Sequence, residues 1–121
     1  MNLVDAEAHL VKDKLTPAQA KELATECFGD MFKIVVDIER GVLAAGGMLH
    51  ADAEELLLSD GSSQDDLWGA NYLPGRDPGL KLEYTALINI RPALGNRDQE
   101  IKSEAVRRKV REVVERLIGP A

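Results

Sequence analysis

The chain has 121 residues, 45% of them apolar and 30% charged, with a formal net charge of −6. That length predicts one domain over residues 1–121, able to bury roughly two-thirds of its unfolded surface without a metal or disulfide staple. The composition is that of a soluble globular protein, and the negative balance argues against general nucleic-acid binding, which needs a cationic face against phosphates.

No run of about 18 apolar residues offers a membrane span. The opening "MNLVDAEAHLVKDK" places acids where a signal peptide needs a basic and then an apolar region. Cys27 is the single cysteine and has no internal disulfide partner, so a reducing, cytoplasmic setting is the expectation.

In chain order, residues 1–8 read as a frayed start and "AHLVKD" as a short first strand. A helix start follows: Thr16 as N-cap, Pro17 at the first helical position and Gln19 completing a capping box. Its expected buried stripe is Ala20, Leu23, Ala24, Cys27 and Phe28, with Gly29 as the stop. "MFKIVVDIERGVLAAGG" then changes the apolar period from 3.6 to 2. Phe32, Ile34, Val36 and Ile38 take one face, Lys33, Val35, Asp37 and Glu39 the other. "ERG" is a turn, residues 42–47 return as the partner strand, and Gly46 with Gly47 predict a bend, a bulge or a close backbone approach.

"HADAEELLL" fits a short helix or a strand over residues 55–58; the favoured reading is a helical turn leading into a short strand. "SDGSSQDD" is a loop. "LWGANYLP" reads as a strand with Trp68, Ala70 and Tyr72 on one side. Residues 80–91 alternate strictly, which predicts a long strand with Leu80, Leu82, Tyr84, Ala86, Ile88 and Ile90 inward and Leu87, Asn89 and Arg91 outward. A last helix is expected over about residues 99–118, capped at Asp98, with Ala105, Val106, Val110, Val113, Val114 and Leu117 in its apolar stripe. The sum is an α+β domain: an antiparallel sheet of four to five strands with two main helices packed on one face.

The stretches "VDIERG", "LHADAEELLL-DGS-Q-DLWG-N" and "INIRP---GNR" resemble a family of small prokaryotic proteins carried under a domain-of-unknown-function label. The resemblance runs from about residue 15 to 118. It implies a compact cytoplasmic protein and carries over no activity, cofactor or catalytic residue.

Charge is unevenly spread. Residues 52–66 hold six acids and no base, while residues 97–116 are rich in arginine and lysine. These are either two solvated faces or complementary patches that meet within the fold or across a dimer. "HADAE" brings His50, Asp52 and Glu54 close in sequence, as a metal site or an acid–base pair requires. The spacing matches no strong zinc pattern, and Asp52 also suits a helix cap. "SDGSSQDD" lacks the ligand order of an EF-hand, and Ser62 and Ser63 lie in no nucleophile elbow. Cys27 on a helical apolar stripe reads as a small buried hydrophobe. Trp68 is core packing or the aromatic wall of a pocket or contact. No cofactor is implied.

"INIRPALGNR" gathers Asn89, Arg91, Asn96 and Arg97 around a proline and a glycine at the approach to the last helix. Two guanidinium groups and two amides there make a cradle for phosphate, sulfate or carboxylate; alternatively the arginines pair with the acids of residues 52–66 and lock loops together. Three functional readings follow. The first is a non-catalytic binding module that contacts a small anion or a protein partner. It is expected as a homodimer, because Val35 and Leu87 lie on a sheet face still to be covered. The second is a small enzyme with His50 as general base, Asp52 or Asp66 orienting it, and Arg91 with Arg97 stabilising an anion, provided these groups share one pocket. The third, a nucleic-acid regulator acting through the Arg107–Arg111 face, conflicts with the net charge.

Overall fold

The computed structural model describes residues 7–121, so the expectation of a frayed start falls, for residues 1–6, outside the described residues. Among the described residues five strands form one antiparallel sheet in the order β1-β3-β2-β4-β5. The strands are β1 (His9–Val11), β2 (Phe32–Asp37), β3 (Val42–Ala45), β4 (Leu67–Tyr72) and β5 (Leu82–Glu83). The helices are α1 (Pro17–Cys27), α2 (His50–Ser59) and α3 (Glu104–Leu117). None is long and apolar enough to cross a membrane.

The expected start of α1 is realised. Thr16 Oγ accepts from Gln19 N at 3.1 Å, and Gln19 Oε1 accepts from Thr16 N at 2.8 Å. Gly29 ends the helix in the left-handed region, φ +93°. Phe28 departs from the predicted stripe: it is exposed, with the Lys33 ammonium 5.3 Å from its ring centre.

The period of two in β2 sorts the core. Phe32, Ile34 and Val36 join Leu43, Ala45, Trp68, Ala70 and Tyr72 in one cluster with the buried residues of α1 and α3. The opposite face carries a second cluster of Val35, Ala44 and Leu67 packed with Ala53 and Leu57 of α2. Val35 is therefore covered by the chain's own helix α2, and the second sheet face needs no second copy to bury it. Residues 7 and 8 are not loose either. Ala8 packs against the second cluster, and a Cβ at Gly46 would lie 2.8 Å from the Glu7 carbonyl.

Three expectations are corrected. "HADAEELLL" is helical throughout, with His50, Ala53 and Leu57 spaced three and four apart on the buried side and Leu58 exposed. Residues 80–91 do not form one long strand: only Leu82–Glu83 pair with β4, and Leu87–Asn89 form a 3₁₀ turn. Leu80 and Ile90 are exposed and Asn89 is fully buried, the reverse of the predicted faces. The physical reason is a competing partner. Residues 84–86 bond instead to residues 99–101, through Ala86 N to Gln99 O at 3.1 Å and Ile101 N to Tyr84 O at 2.9 Å. The last helix starts at Glu104, capped by Ser103, whose Oγ accepts from Val106 N at 3.2 Å; Asp98 instead closes a turn onto Glu100 N at 2.9 Å, and Ala105 is exposed.

Candidate functional site

α2 begins at His50, whose ring reaches the main chain of β4. Asp52 Oδ2 accepts from Leu49 N at 3.2 Å, so this carboxylate is occupied with starting the helix. His50 is buried, and its Nε2 donates to the Ala70 carbonyl at 2.8 Å, which leaves the lone pair on Nδ1. Burial pushes the His50 pKa down and Lys33 adds to the fall, while the Ala70 carbonyl that accepts from the ring and the neighbouring Asn71 side chain oppose it. The ring is neutral at pH 7.

Beside it opens a hollow of about 380 Å³. Its polar lining is Lys33, His50, Asn71, Thr85 and Gln99, against an apolar wall that includes Leu49 and Leu87; among the described residues no carboxylate lines it. Lys33 and Asn71 face each other in the β2–β4 register, both on the α2 side. Asn71 Nδ2 reaches Glu83 Oε1 at 3.4 Å, while its Oδ1 is buried without a partner among the described residues. A buried amide oxygen left unpaired costs about 1–3 kcal/mol, so this is a site that gains from a donor.

The 88–97 corner is built differently, and most of its donors are spent inside the chain. The Asn89 amide stands in for a missing strand beside β4: Oδ1 accepts from Gly69 N at 2.8 Å, and Nδ2 donates to Gly69 O and Gln99 O, both at 2.9 Å. Gly69 must be glycine for this, because a Cβ there would lie 2.5 Å from Ala86 Cβ. Asn96 Nδ2 donates to the carbonyls of Asn89, Asp98 and Glu100 at 2.8, 2.9 and 3.0 Å, and its Oδ1 accepts from Lys102 N at 3.0 Å.

Arg91 donates through Nη1 to the Leu67 carbonyl and through Nη2 to Glu54 at 2.8 Å, a pair whose side chains are only 12% and 13% exposed. Its guanidinium also lies 5.6 Å from the Trp68 ring centre. Trp68 is core, and its Nε1 has no partner among the described residues. The hollow of about 370 Å³ beside Arg91 includes Glu54 and Asp65, which repel an anion. Arg97 is exposed, lines none of these hollows and has no ion pair among the described residues; six residues separate it from the first residue of α3. His50, Arg91 and Arg97 therefore do not converge.

Of the acids of residues 52–66, Asp60 pairs with Lys12 and Arg40 and Glu54 with Arg91, and none forms an ion pair with the basic stretch at 97–116 among the described residues. Asp60 takes Lys12 and Arg40 at 2.8 Å each, which lowers its carboxyl pKa. Ser62 is buried and donates to the fully buried Asp37 at 2.6 Å while accepting from Arg40 at 2.8 Å, a clasp that ties the "VDIERG" turn to the "DGS" loop. Among the described residues no group of three His, Cys, Asp or Glu side chains is placed to hold a metal. Cys27 is buried, and burial raises its thiol pKa.

The stretches "VDIERG", "LHADAEELLL-DGS" and "INIRP" thus meet at this side of the sheet, through Asp37 with Ser62, Glu54 with Arg91, and Gly69 with Asn89. Residues 9–117 match the model of a family described as a protein of unknown function, DUF5674. The chain belongs to this family. No curated protein and no solved structure matches the DUF5674 chain. The match takes in β1 as well as the stretch from residue 15 onward.

Within the DUF5674 chain, Lys33 and Asn71 are the residues that sequence reasoning passed over. A signal for them existed. Lys33 alternates out of phase with Phe32 and Ile34, as Asn71 does with Ala70 and Tyr72, so both point to the face opposite the main core.

Proposed function

We propose that the DUF5674 chain is a non-catalytic binding module whose ligand enters the hollow between α2, β2 and β4. The observation that carries this reading is the unpartnered, buried Asn71 Oδ1 in a hollow shared with the Lys33 ammonium and a neutral His50. Lys33 attracts an anionic group; Asn71 Oδ1 and His50 Nδ1 both accept hydrogen bonds; Leu49 and Leu87 supply apolar contact. The complementary ligand is a small molecule with one anionic group and at least one N–H or O–H donor, of the kind a small amino or hydroxy acid offers. Binding outranks turnover here because His50 is held by a main-chain carbonyl, with no carboxylate to orient it as a base. The anion site moves from the 88–97 corner to Lys33, since Asn89, Arg91 and Asn96 already serve the fold.

A thermal-shift panel of small amino and hydroxy acids tests this. A ligand at about 100 times its Kd stabilises by about 2.7 kcal/mol, on the order of 10 °C for a domain of this size. The shift is expected to vanish in Lys33→Gln and in Asn71→Ala. A panel without hits, or a hit indifferent to both substitutions, contradicts the reading.

A second copy of the chain as partner is favoured by one observation: Leu49 and Leu87, at the mouth of the same hollow, are 61% and 69% exposed. Light scattering at micromolar concentration is then expected to give a dimer that Leu87→Glu dissociates; a monomeric wild type removes it.

A further inference from the structure

A second cleft lies at the α1–α3 side, away from the hollow just described. It holds about 460 Å³ between the first turns of α1, the segment after β4 and the residues that follow α3. Its floor is hydrocarbon: Ala20, Ile118, the Tyr72 ring and the rings of Pro17 and Pro120. The one hydroxyl in that floor is already used, since Tyr72 Oη donates to the Pro120 carbonyl at 2.8 Å. The rim carries Lys14, Lys21 and Lys81, and among the described residues none that lines it is acidic. Lys81 is pinned in place by donating to the Pro74 carbonyl at 2.6 Å. Lys14 and Lys21 are exposed and make no ion pair among the described residues.

Three ammonium groups around an apolar floor, in a chain of net charge −6, are a local reversal of the molecule's sign. Inorganic phosphate would satisfy the rim and leave the floor wet. A neutral hydrocarbon would cover the floor and leave the lysines without a counter-charge. We propose that this cleft binds an amphipathic carboxylate, an apolar chain or ring that ends in one carboxylate, with the acid group among the three lysines and the apolar body over Ala20, Tyr72 and Ile118.

The experiment is an NMR titration of the intact chain with butyrate, hexanoate and octanoate below their micellar concentrations, with octanol and inorganic phosphate as controls. Affinity is expected to rise about fourfold for each added methylene that is buried. Octanol should bind about fivefold or more weakly than octanoate, and the exposed double substitution Lys14→Gln/Lys21→Gln should weaken octanoate by a similar factor while leaving the melting temperature unchanged. Perturbed amides should cluster at residues 17–21, 72–75 and 118–120. Lys33→Gln should leave this titration unchanged, which separates it from the hollow beside His50. The proposal is overturned by equal binding of octanol and octanoate, by affinity independent of chain length, by an unaffected double variant, or by perturbations centred on His50.

Discussion

The two faces of the sheet are held by different physics. Among the described residues, eighteen buried residues toward α1 and α3 form one cluster, in which the Phe32 and Tyr72 rings meet at a tilt with centres 5.5 Å apart. Toward α2, the buried cluster has only five members, and polar clasps complete it: Asn89 on Gly69, Arg91 on Glu54, Ser62 on Asp37 and His50 on Ala70. Apolar burial is non-directional and tolerates adjustment, whereas each clasp works only with its own partner in place. The first face makes the fold stable. The second fixes positions, and the hollow with Lys33 and Asn71 lies there.

Substitutions on the two faces should separate these contributions. Ile34→Ala, in the fully buried α1–α3 cluster, should cost the most, about 3–4 kcal/mol in denaturant unfolding, and leave ligand binding at the α2 hollow in proportion to the folded fraction. Asn89→Ala strips the Gly69 N–H and C=O and the Gln99 C=O of their partner; a loss of about 2–3 kcal/mol is expected, and Asn89→Asp, which keeps the acceptor alone, should recover only part of it. Arg91→Ala leaves Glu54 nearly buried and alone, for about 2 kcal/mol, while Arg97→Ala should stay within about 0.5 kcal/mol. Equal costs for the two arginines would refute their assignment to fold and solvent respectively.

The smallest effect is a pH dependence. His50 is held below its ordinary value of 6.5 in the folded state, so the unfolded chain takes up the proton first. Its contribution is complete above pH 6.5 and is lost as pH falls below that value. His50→Gln should flatten the stability curve just under pH 6.5 while leaving the acid limb set by Asp60 and Glu100, whose carboxyls are lowered by their cationic partners.

The α1–α3 face was readable in advance. Thr16, Pro17 and Gln19 announce their helix, and the period of two from Phe32 to Val36 names the core side. The α2 face was not. Residues 80–91 alternate as well as β2 does, yet residues 84–86 pair with 99–101, and Gly69 lets Ala86 approach where a strand neighbour would otherwise lie. Alternation reports compatibility with a pleated surface, and tertiary partners decide whether a sheet forms. The sequence offers two readings of Asn89, Arg91, Asn96 and Arg97, an anion cradle or loop locks onto the acids of residues 52–66; Arg91 takes the second role on Glu54, and Asn89 and Asn96 fasten the backbone. His50 is a candidate in the sequence as well, but its neighbours in the hollow, Lys33 and Asn71, come from β2 and β4.

Amide hydrogen exchange at Gly69 tests the division of labour most directly. This N–H is turned away from β2 at a point where β5 does not reach, and it is bonded to the Asn89 side chain alone. Exchange close to the rate of global unfolding in the wild type, and far faster in Asn89→Ala while the Ile34 and Val36 amides stay slow, is the predicted result. A Gly69 amide that exchanges in the wild type as fast as an open strand edge would contradict it.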